Sequence, residues 1–357
     1  MNILVTGATG FLGTRVVEQL CASGATRVRC FVRPNSDTAR LDELRSKYPS
    51  TRLQYVVGNL LSANDAIRAT EGVDTVYHLA AEMRGLPSSV FANTVVASRN
   101  VLDGIARHKV RRVVLASSIC VYGLATVPTR ETVTEETALE AEPEKRDAYT
   151  FAKVRQELLF QQYRRDHSFQ LVVLRPGVIY GEGGPMLFSR AGLRVGPFLI
   201  QIAGRNRLPL TYVSNCAAAV ALAGSGEVLP EGSYNVIDDE SPSVAEYLRM
   251  YRSLVERVRC VRLSFSVAMV LSHILDIYQS HCKAQIPPVL SPYRVRATWE
   301  GHTFSSQKLQ AVGWRLSVST AEGISRTLRA ASCPKRTTTI DATDLISSQS
   351  CLVNSKN

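Results

Sequence analysis

"MNILVTGATGFLG", residues 1–13, joins a short apolar run to three glycines at positions 7, 10 and 13. The apolar run predicts a β-strand, and the residues after Gly10 have the apolar spacing of a helix. Gly7 allows a sharp turn out of the strand, Gly10 lets backbone amides approach phosphate oxygens, and Gly13 lets the helix pack closely on the sheet. This combination predicts a site for the pyrophosphate of a dinucleotide at the N-terminus of the helix.

Apolar runs of strand length recur along the first half of the chain, with helical segments between them. They cover residues 2–7, 27–32, 52–57, 74–80, 111–117 and 170–176. Helix-period apolar positions occupy Phe11 to Ser23 and Val90 to His108. Continuous Val, Leu and Ile runs are typical of strands that helices cover on both faces. The sequence therefore predicts an α/β fold, a Rossmann-type doubly wound parallel sheet.

The alternation ends at the turn-rich stretch "PGVIYGEGGP", residues 176–185. We therefore expect residues 1–176 to form a dinucleotide-binding domain and residues 177–330 to form mainly a smaller C-terminal substrate-binding lobe. Residues 208–225 are predicted to return to the first domain. The Ser- and Thr-rich residues 331–357 have little to bury and are predicted to be a disordered tail.

Composition and charge exclude several classes of protein. The chain is 45% hydrophobic and 20% charged, as expected for a globular enzyme-sized protein. Its net charge of +11 comes from dispersed cations, so we predict no nucleic-acid partner. The eight cysteines form no CxxC pair and the histidines do not cluster, so neither a disulfide framework nor a metal site is predicted. The first residues lack the basic region of a signal peptide, which predicts a cytoplasmic protein.

The segment "LSFSVAMVLSHIL", residues 263–275, leaves two interpretations open. It falls short of the roughly twenty apolar residues that a membrane-spanning helix needs. A buried core helix is one interpretation. The other is a helix lying on a membrane surface, since Arg257, Arg259 and Arg262 precede it. The second interpretation predicts peripheral membrane association.

The end of the second apolar run bears on which dinucleotide binds. NAD-binding sites usually place an acidic residue there for the adenosine ribose, whereas "CFVRPNS" offers Val32 and Arg33. A guanidinium suits a 2′-phosphate, and the absence of a carboxylate removes a repulsion. NADP is therefore favoured, with NAD as the alternative if Arg33 is merely solvated.

The stretch "YTFAK" places Tyr149 and Lys153 four residues apart, on one face of a helix. A phenol, whose pKa in water is about 10, exchanges protons near neutral pH only if a cation stabilises its phenolate. Ser117 and Ser118 end the run at 111–117, where a doubly wound sheet opens its crevice. Tyr149, Lys153 and Ser118 are therefore candidate catalytic residues.

Together these motifs resemble the extended short-chain dehydrogenases/reductases over roughly residues 1–330. The resemblance is carried by "TGATGFLG", "GNLLS", "YHLAA", "SSICVYG", "YTFAK" and "LRPGVIYG". It implies that Ser118, Tyr149 and Lys153 are catalytic and that Tyr149 and Lys153 also contact the dinucleotide. It also implies a homodimer. The other cofactor-binding residues that it implies, besides the three glycines and Arg33, are Thr9, Phe11, Leu12, Asn59, Leu60, Leu79, Ala80, Ala81, Pro176 and Val178.

Departures from the family pattern favour one branch. Nucleotide-sugar members usually carry an asparagine where this chain has Val178, and sugar dehydratases carry an Asp–Glu pair where it has Ile119 and Cys120. The remaining pattern is closer to 3β-hydroxysteroid dehydrogenases and ketoacyl-type reductases, a branch that implies an apolar substrate. We therefore expect an NADP(H)-dependent alcohol–ketone oxidoreductase. The alternatives are a nucleotide-sugar 4-epimerase with tightly held NAD and a non-catalytic dinucleotide-sensing protein, which would be expected to lack the tyrosine and lysine.

Overall fold

The computed structural model describes residues 1–129, 131–187, 191–195, 198–202, 204–225, 228–281 and 291–332. Its strands are β1 Asn2–Thr6, β2 Arg27–Val32, β3 Arg52–Val57, β4 Thr75–His78, β5 Arg112–Ala116, β6 Thr132–Val133, β7 Gln170–Pro176, β8 Val178–Tyr180, β9 Gly192–Val195, β10 Phe198–Ile202, β11 Leu210–Tyr212, β12 Gly232–Val236, β13 Arg259–Leu263 and β14 Thr303–Phe304.

The helices alternate with these strands through the first half of the chain. They are α1 Phe11–Ala22, α2 Ala39–Lys47, α3 Ala63–Thr70, α4 Pro87–Phe91, α5 Ala97–His108, α6 Ala148–Asp166, α7 Val213–Leu222, α8 Val244–Leu254, α9 Phe265–His281, α10 Pro292–Trp299, α11 Gln307–Ala311 and α12 Thr320–Ser332. A π-helical turn, Ala92–Val96, joins α4 to α5, and short 3₁₀ turns lie at Ile119–Val121 and Pro143–Lys145.

Seven parallel strands form the main sheet, in the order β12-β7-β5-β4-β1-β2-β3. The predicted α/β doubly wound fold is therefore confirmed, and the six predicted strands match the observed ones to within three residues at either end. Side chains alternate between two cores. Val5 lies in the core beneath α1 and α7, whereas its neighbour Leu4 lies in the core beneath α3, α5 and α6.

The strand order reverses at β1. From β1 the chain adds β2 and β3 on one side, and it then returns to place β4 and β5 on the other. The loops after β1 and β4 therefore diverge and leave a crevice at the carboxyl ends of the strands, which is where doubly wound sheets bind ligands. All the loops that carry the predicted site residues open at this edge.

The chain after β7 contributes to both parts of the molecule. β11 pairs with β8, and α7 packs on α1 in the core of the main sheet. Gly232–Val236, from the range assigned mainly to the substrate lobe, extends the main sheet beside β7. A separate three-stranded sheet, β13-β10-β9, carries α9 on one face. α12 ends at Ser332, and the rest of the predicted tail lies outside the described residues.

Helix α9 contains most of the segment that the sequence left open. Its small residues Ala268 and Ser272 are buried, but Val270, Ile274 and Ile277 are 59%, 57% and 61% exposed. The interpretation of this segment as a buried core helix is therefore wrong for most of the length of α9. Over the part of the chain that the structure describes, the helices are too short or too polar to cross a bilayer.

Candidate active site

The opening glycines form a tight cradle between β1 and α1. Gly7 has a φ of +70°, a conformation that favours glycine. The amide of Gly10 donates a 3.0 Å hydrogen bond to the carbonyl of Gly7. A Cβ on Gly13 would lie only 2.0 Å from that same oxygen, so α1 approaches the turn more closely than any other residue allows. Gly10, at the N-cap of α1, has no side chain to bond the first-turn amides of the helix, and such amides are typical donors to a phosphate.

The loop after β4 lies directly against this cradle. A Cβ on Gly7 would come within 2.9 Å of the amide nitrogen of Ala80, and that amide donates to the hydroxyl of Thr6 at 3.3 Å. The structure thus brings the predicted residues of β1, α1 and β4 together. The remaining predicted residues of these loops are half-buried: Thr9, Phe11, Leu12, Leu79 and Ala81.

The end of β7 closes another side of the crevice. Pro176 is buried and Val178 is half-buried, and the amide of Val178 donates to the carbonyl of Pro209 at 2.7 Å. Phe11 faces a glycine-rich loop that follows β8, because a Cβ on Gly184 would lie 2.4 Å from the Phe11 ring. The cradle and the loop that leads into the substrate lobe are therefore in contact.

The loops after β2 and β3 carry the residues predicted at the adenosine end. Arg33 is exposed at the end of β2 and begins a turn that the amide of Ser36 closes. Asn59 is exposed after β3, and its side-chain oxygen accepts from the amide of Leu61 at 3.0 Å. Asp65 accepts from the amide of Asn59 at 2.9 Å. Asp65 is not among the residues predicted from the sequence, where its place in the first turn of α3 was the available signal.

Tyr149 and Ser118 both lie near the carboxyl end of β5. Asp147 begins α6 by accepting from the amide of Thr150 at 2.9 Å. Tyr149, in the first turn of α6, is half-buried and packs against the small cluster of Cys120, Val121 and Val154, of which Cys120 and Val121 follow Ser118. Ser118 is half-buried, and its hydroxyl accepts from the amide of Cys120 at 3.2 Å. A phenol and a hydroxyl thus share this part of the crevice.

Lys153 lies one helical turn further along α6 and is only 3% exposed. Its ammonium donates to the carbonyl of Ala116 at 2.7 Å and to Oε1 of Gln156 at 2.9 Å. Burial lowers the pKa of Lys153 to about 8, because the charged form loses hydration. The lysine therefore titrates close to physiological pH.

A buried ion pair that the sequence analysis missed supports the same helix. Glu157 accepts from Ser117 Oγ at 2.6 Å and from Arg175 of β7, which makes the pair bidentate. Arg175 also donates to the hydroxyl of Tyr122 at 2.9 Å. Burial alone would lower the pKa of Arg175, but the carboxylate of Glu157 raises it. This pair fixes α6 to the ends of β5 and β7, and a carboxylate four residues after Lys153 was its signal in the sequence.

Comparison with known proteins agrees with this geometry. The family model described as "NAD dependent epimerase/dehydratase family" matches residues 3–236. The chain belongs to this family. Members typically use an NAD(P) dinucleotide, and the tight glycine cradle, with the uncapped amides of α1 beside it, fits such a group. The chain is thus an NAD(P)-dependent enzyme of the extended short-chain dehydrogenase/reductase type.

Relatives within the family differ in activity. The chain is 28% identical over 284 residues to "Uncharacterized UDP-glucose epimerase YtcB" of Bacillus subtilis, which covers 75% of this chain and 86% of that protein. It is 26% identical over 350 residues to "3beta-hydroxysteroid-dehydrogenase/decarboxylase isoform 1" of Arabidopsis thaliana, covering 91% and 78%. The crystal structure of gox2253 shares the fold, with a TM-score of 0.75 at 21% identity over 92% of this chain and 96% of that one.

Proposed function

We propose that this protein is an NADP(H)-dependent oxidoreductase that interconverts a secondary alcohol and a ketone on an apolar, steroid-like or acyl substrate. The observation that carries the proposal is the arrangement at the end of β5. Tyr149 packs against the cluster of Cys120, Val121 and Val154 that includes the turn after Ser118, while Lys153 from the same helix is buried beside the last carbonyl of the strand. These are the groups that proton transfer to a carbonyl oxygen requires.

Each of the three side chains has a distinct role in this proposal. A bound nicotinamide supplies or accepts the hydride. Tyr149 donates the proton to the substrate oxygen during reduction, and Lys153 lowers the cost of the resulting phenolate through its positive charge. Ser118 donates a hydrogen bond to the same oxygen and holds it beside the phenol.

The residues that replace the sugar-nucleotide signatures support an apolar substrate. Val178 has no side-chain amide to offer a diphosphate, and Ile119 and Cys120 are both buried. Burial also raises the pKa of the Cys120 thiol, so it is a poor substitute for a catalytic acid–base pair. The similarity to a plant protein named as a 3β-hydroxysteroid dehydrogenase/decarboxylase supports the same choice.

The preference for NADP rests on Arg33, which is exposed beside the crevice at the end of β2. A charge-assisted hydrogen bond to a 2′-phosphate is worth about 1.5–3 kcal/mol, or roughly tenfold or more in affinity. Arg33→Ala should therefore weaken NADPH binding about tenfold in a calorimetric titration while NADH binding stays the same. Equal effects on both nucleotides would contradict the preference.

A nucleotide-sugar 4-epimerase is the second candidate, and the similarity to the Bacillus protein named as a UDP-glucose epimerase favours it. The same three side chains would act there on a sugar hydroxyl. The two functions differ in net redox change. Incubation with a UDP-hexose that yields the 4-epimer without net change in nicotinamide absorbance would establish the epimerase and overturn the oxidoreductase.

The experiment that tests the main proposal is a screen of hydrophobic ketones and alcohols with NADPH or NADP⁺. We expect NADPH consumption with an apolar ketone, and its loss in Tyr149→Phe with cofactor binding retained. If the intact protein binds NADPH but turns over none of these compounds or the UDP-hexose, it is the non-catalytic dinucleotide-sensing protein.

We further propose that α9 contacts a membrane surface containing anionic lipids. Its apolar residues lie at helical spacing, and Val270, Ile274 and Ile277 are more than half exposed. Leu263, at the end of β13, packs against the cluster that contains Ala268 of α9, and Arg259 lies four residues earlier on the same face of β13. A cation beside an exposed apolar stripe is typical of interfacial helices on anionic membranes.

Sedimentation with lipid vesicles tests this contact. The protein should co-sediment with phosphatidylserine-containing vesicles more than with phosphatidylcholine vesicles, and Val270→Ser combined with Ile274→Ser should abolish the difference. Leu86→Ser, at an equally exposed leucine far along the chain, is the control. Light scattering reports the predicted homodimer in the same samples. Dissociation of an oligomer by the α9 variant, without any change in vesicle binding, would assign the stripe to self-association instead.

A further inference from the structure

A continuous chain of buried hydrogen bonds runs from the cofactor loop to the candidate catalytic lysine. Thr6, His78, Ser98 and Gln156 are all fully buried. The links are Thr6 Oγ1 to His78 Nδ1 at 2.9 Å, His78 Nε2 to Ser98 Oγ at 2.9 Å, Ser98 Oγ to Gln156 Nε2 at 2.8 Å, and Gln156 Oε1 to Lys153 Nζ at 2.9 Å. Four elements, β1, β4, α5 and α6, contribute to it.

The direction of each hydrogen bond follows from the protons that are available. Ser98 gives its only proton to the carbonyl of Thr94, one turn earlier at the π-helical segment. Its oxygen must therefore accept from both His78 and Gln156. His78 consequently carries its proton on Nε2 and accepts from Thr6 on Nδ1. Burial lowers the pKa of His78 to about 3, so the ring is neutral, as this arrangement requires.

The same reasoning fixes the orientation of the Gln156 amide. Because its nitrogen donates to Ser98, its oxygen must face Lys153. A reversed amide would place two donors against the ammonium and an acceptor against the lone pairs of Ser98. We infer that Gln156 is a positioning residue for Lys153: with Ser98 and His78 behind it, it holds the ammonium at the end of β5 by a neutral acceptor. The consequence for turnover rests on the proposed function.

A neutral acceptor has two effects that a carboxylate at this place would not have. It engages one N–H of the ammonium while Ala116 engages another, which leaves the third for the bound nucleotide, counting only bonds within the described chain. It also adds no negative charge to the buried lysine. Lys153 therefore stays easier to deprotonate than it would be beside an anion.

The other titratable groups near Lys153 are neutral or already paired, so they do not mask the effect of the residue at position 156 on the pKa of Lys153. Cys120 follows β5, and burial raises the pKa of its thiol, which keeps it neutral. Glu157, on α6, is already paired with Arg175. His78, from β4, is neutral. Tyr149, on α6 like Lys153, is the proposed acid. Position 156 is thus the place where a single substitution adds a charge beside the ammonium.

The direct test is a titration of Lys153 by NMR of the full chain with ¹³C-labelled lysine. The sequence has eight lysines, so the signal can be assigned by its loss in Lys153→Arg. Gln156→Glu should raise the pKa of Lys153 and Gln156→Leu should lower it, each by about one unit, the effect expected from one hydrogen bond to a charged group. Ser98→Ala should lower the pKa by a smaller amount, because the amide loses its orientation.

Gln162→Glu and Gln162→Leu are the matched controls, since Gln162 is exposed on the same helix and should leave Lys153 unchanged. Unchanged titration of Lys153 in both Gln156 variants, with melting temperatures showing that they are folded, would overturn the inference. Once a substrate is known, the pH profile of kcat should shift in the same direction as the pKa. A shifted pKa without turnover of any compound would refute the proposed function while leaving the role of Gln156 intact.

Discussion

Replacing Gly13 by alanine tests the cradle most sharply, because two effects of known size oppose each other. Gly13 is the third residue of α1, and alanine there would stabilise the helix by up to about 1 kcal/mol. The new Cβ would, however, lie 2.0 Å from the carbonyl oxygen of Gly7 and 2.8 Å from its carbon. Both atoms are backbone and cannot rotate away, so we place the cost at the upper end of the about 1–3 kcal/mol typical of overpacking. The net result is a loss of about 2 kcal/mol.

To make room for the new Cβ, α1 must move away from the turn, and this movement takes its amides away from the bound pyrophosphate. We therefore expect dinucleotide affinity to fall about tenfold or more, the equivalent of one charge-assisted hydrogen bond. Urea unfolding measures the stability and calorimetric titration measures the affinity. Gly24→Ala is the control, because Gly24 has a φ of +83° with open space around it and follows the other end of α1. It should lose about 1–2 kcal/mol of stability from backbone strain and no affinity. A Gly13→Ala protein that is as stable as the parent and binds the nucleotide equally well would refute the reasoning.

Two further predictions concern the buried polar groups. Burial lowers the pKa of His78 to about 3, so below about pH 6.5 the unfolded chain binds this proton more readily than the folded chain does. Acidification to pH 5 should therefore lower the free energy of unfolding by about 2 kcal/mol, and the His78→Gln variant should not show this loss. An identical pH dependence of urea unfolding in the two proteins would contradict this. Glu157→Gln leaves the guanidinium of Arg175 buried without its counter-charge. This substitution should reduce the free energy of unfolding by about 3–5 kcal/mol. A loss below about 1 kcal/mol would show that water or another group replaces the carboxylate.

The sequence was sufficient for those parts of the fold that depend on local patterns. Continuous apolar runs predicted six of the seven strands of the main sheet, since a parallel strand buried on both faces has no alternation. The glycine spacing predicted the turn between β1 and α1 because only glycine tolerates both the left-handed backbone at Gly7 and the contact at Gly13. The "YTFAK" pattern placed Tyr149 and Lys153 on one helix, as observed.

The contacts that hold the site together could not be predicted in this way. Gln156 and His78 are 78 residues apart in the chain, and only the packing of α6 and α5 over β4 brings both of them to Ser98. The exposure of α9 was equally hidden, because its apolar composition suits a buried helix and a surface helix alike. β12 was missed because its short run, "GSYNV", is largely polar. Its polar side chains find hydrogen-bond partners in neighbouring segments: Asn235, for example, accepts from the hydroxyl of Tyr122.

The central claim is that Tyr149, Lys153 and Ser118 act together on a carbonyl group beside the nicotinamide. A crystal structure of the protein with NADP⁺ and an apolar ketone tests it most directly. We expect the hydroxyl groups of Tyr149 and Ser118 to lie within hydrogen-bond reach of one substrate oxygen, about 2.6–3.2 Å, with Lys153 bonded to the nicotinamide ribose. A nicotinamide ring bound outside the crevice, or a Tyr149 hydroxyl turned away from the substrate oxygen, would contradict the account.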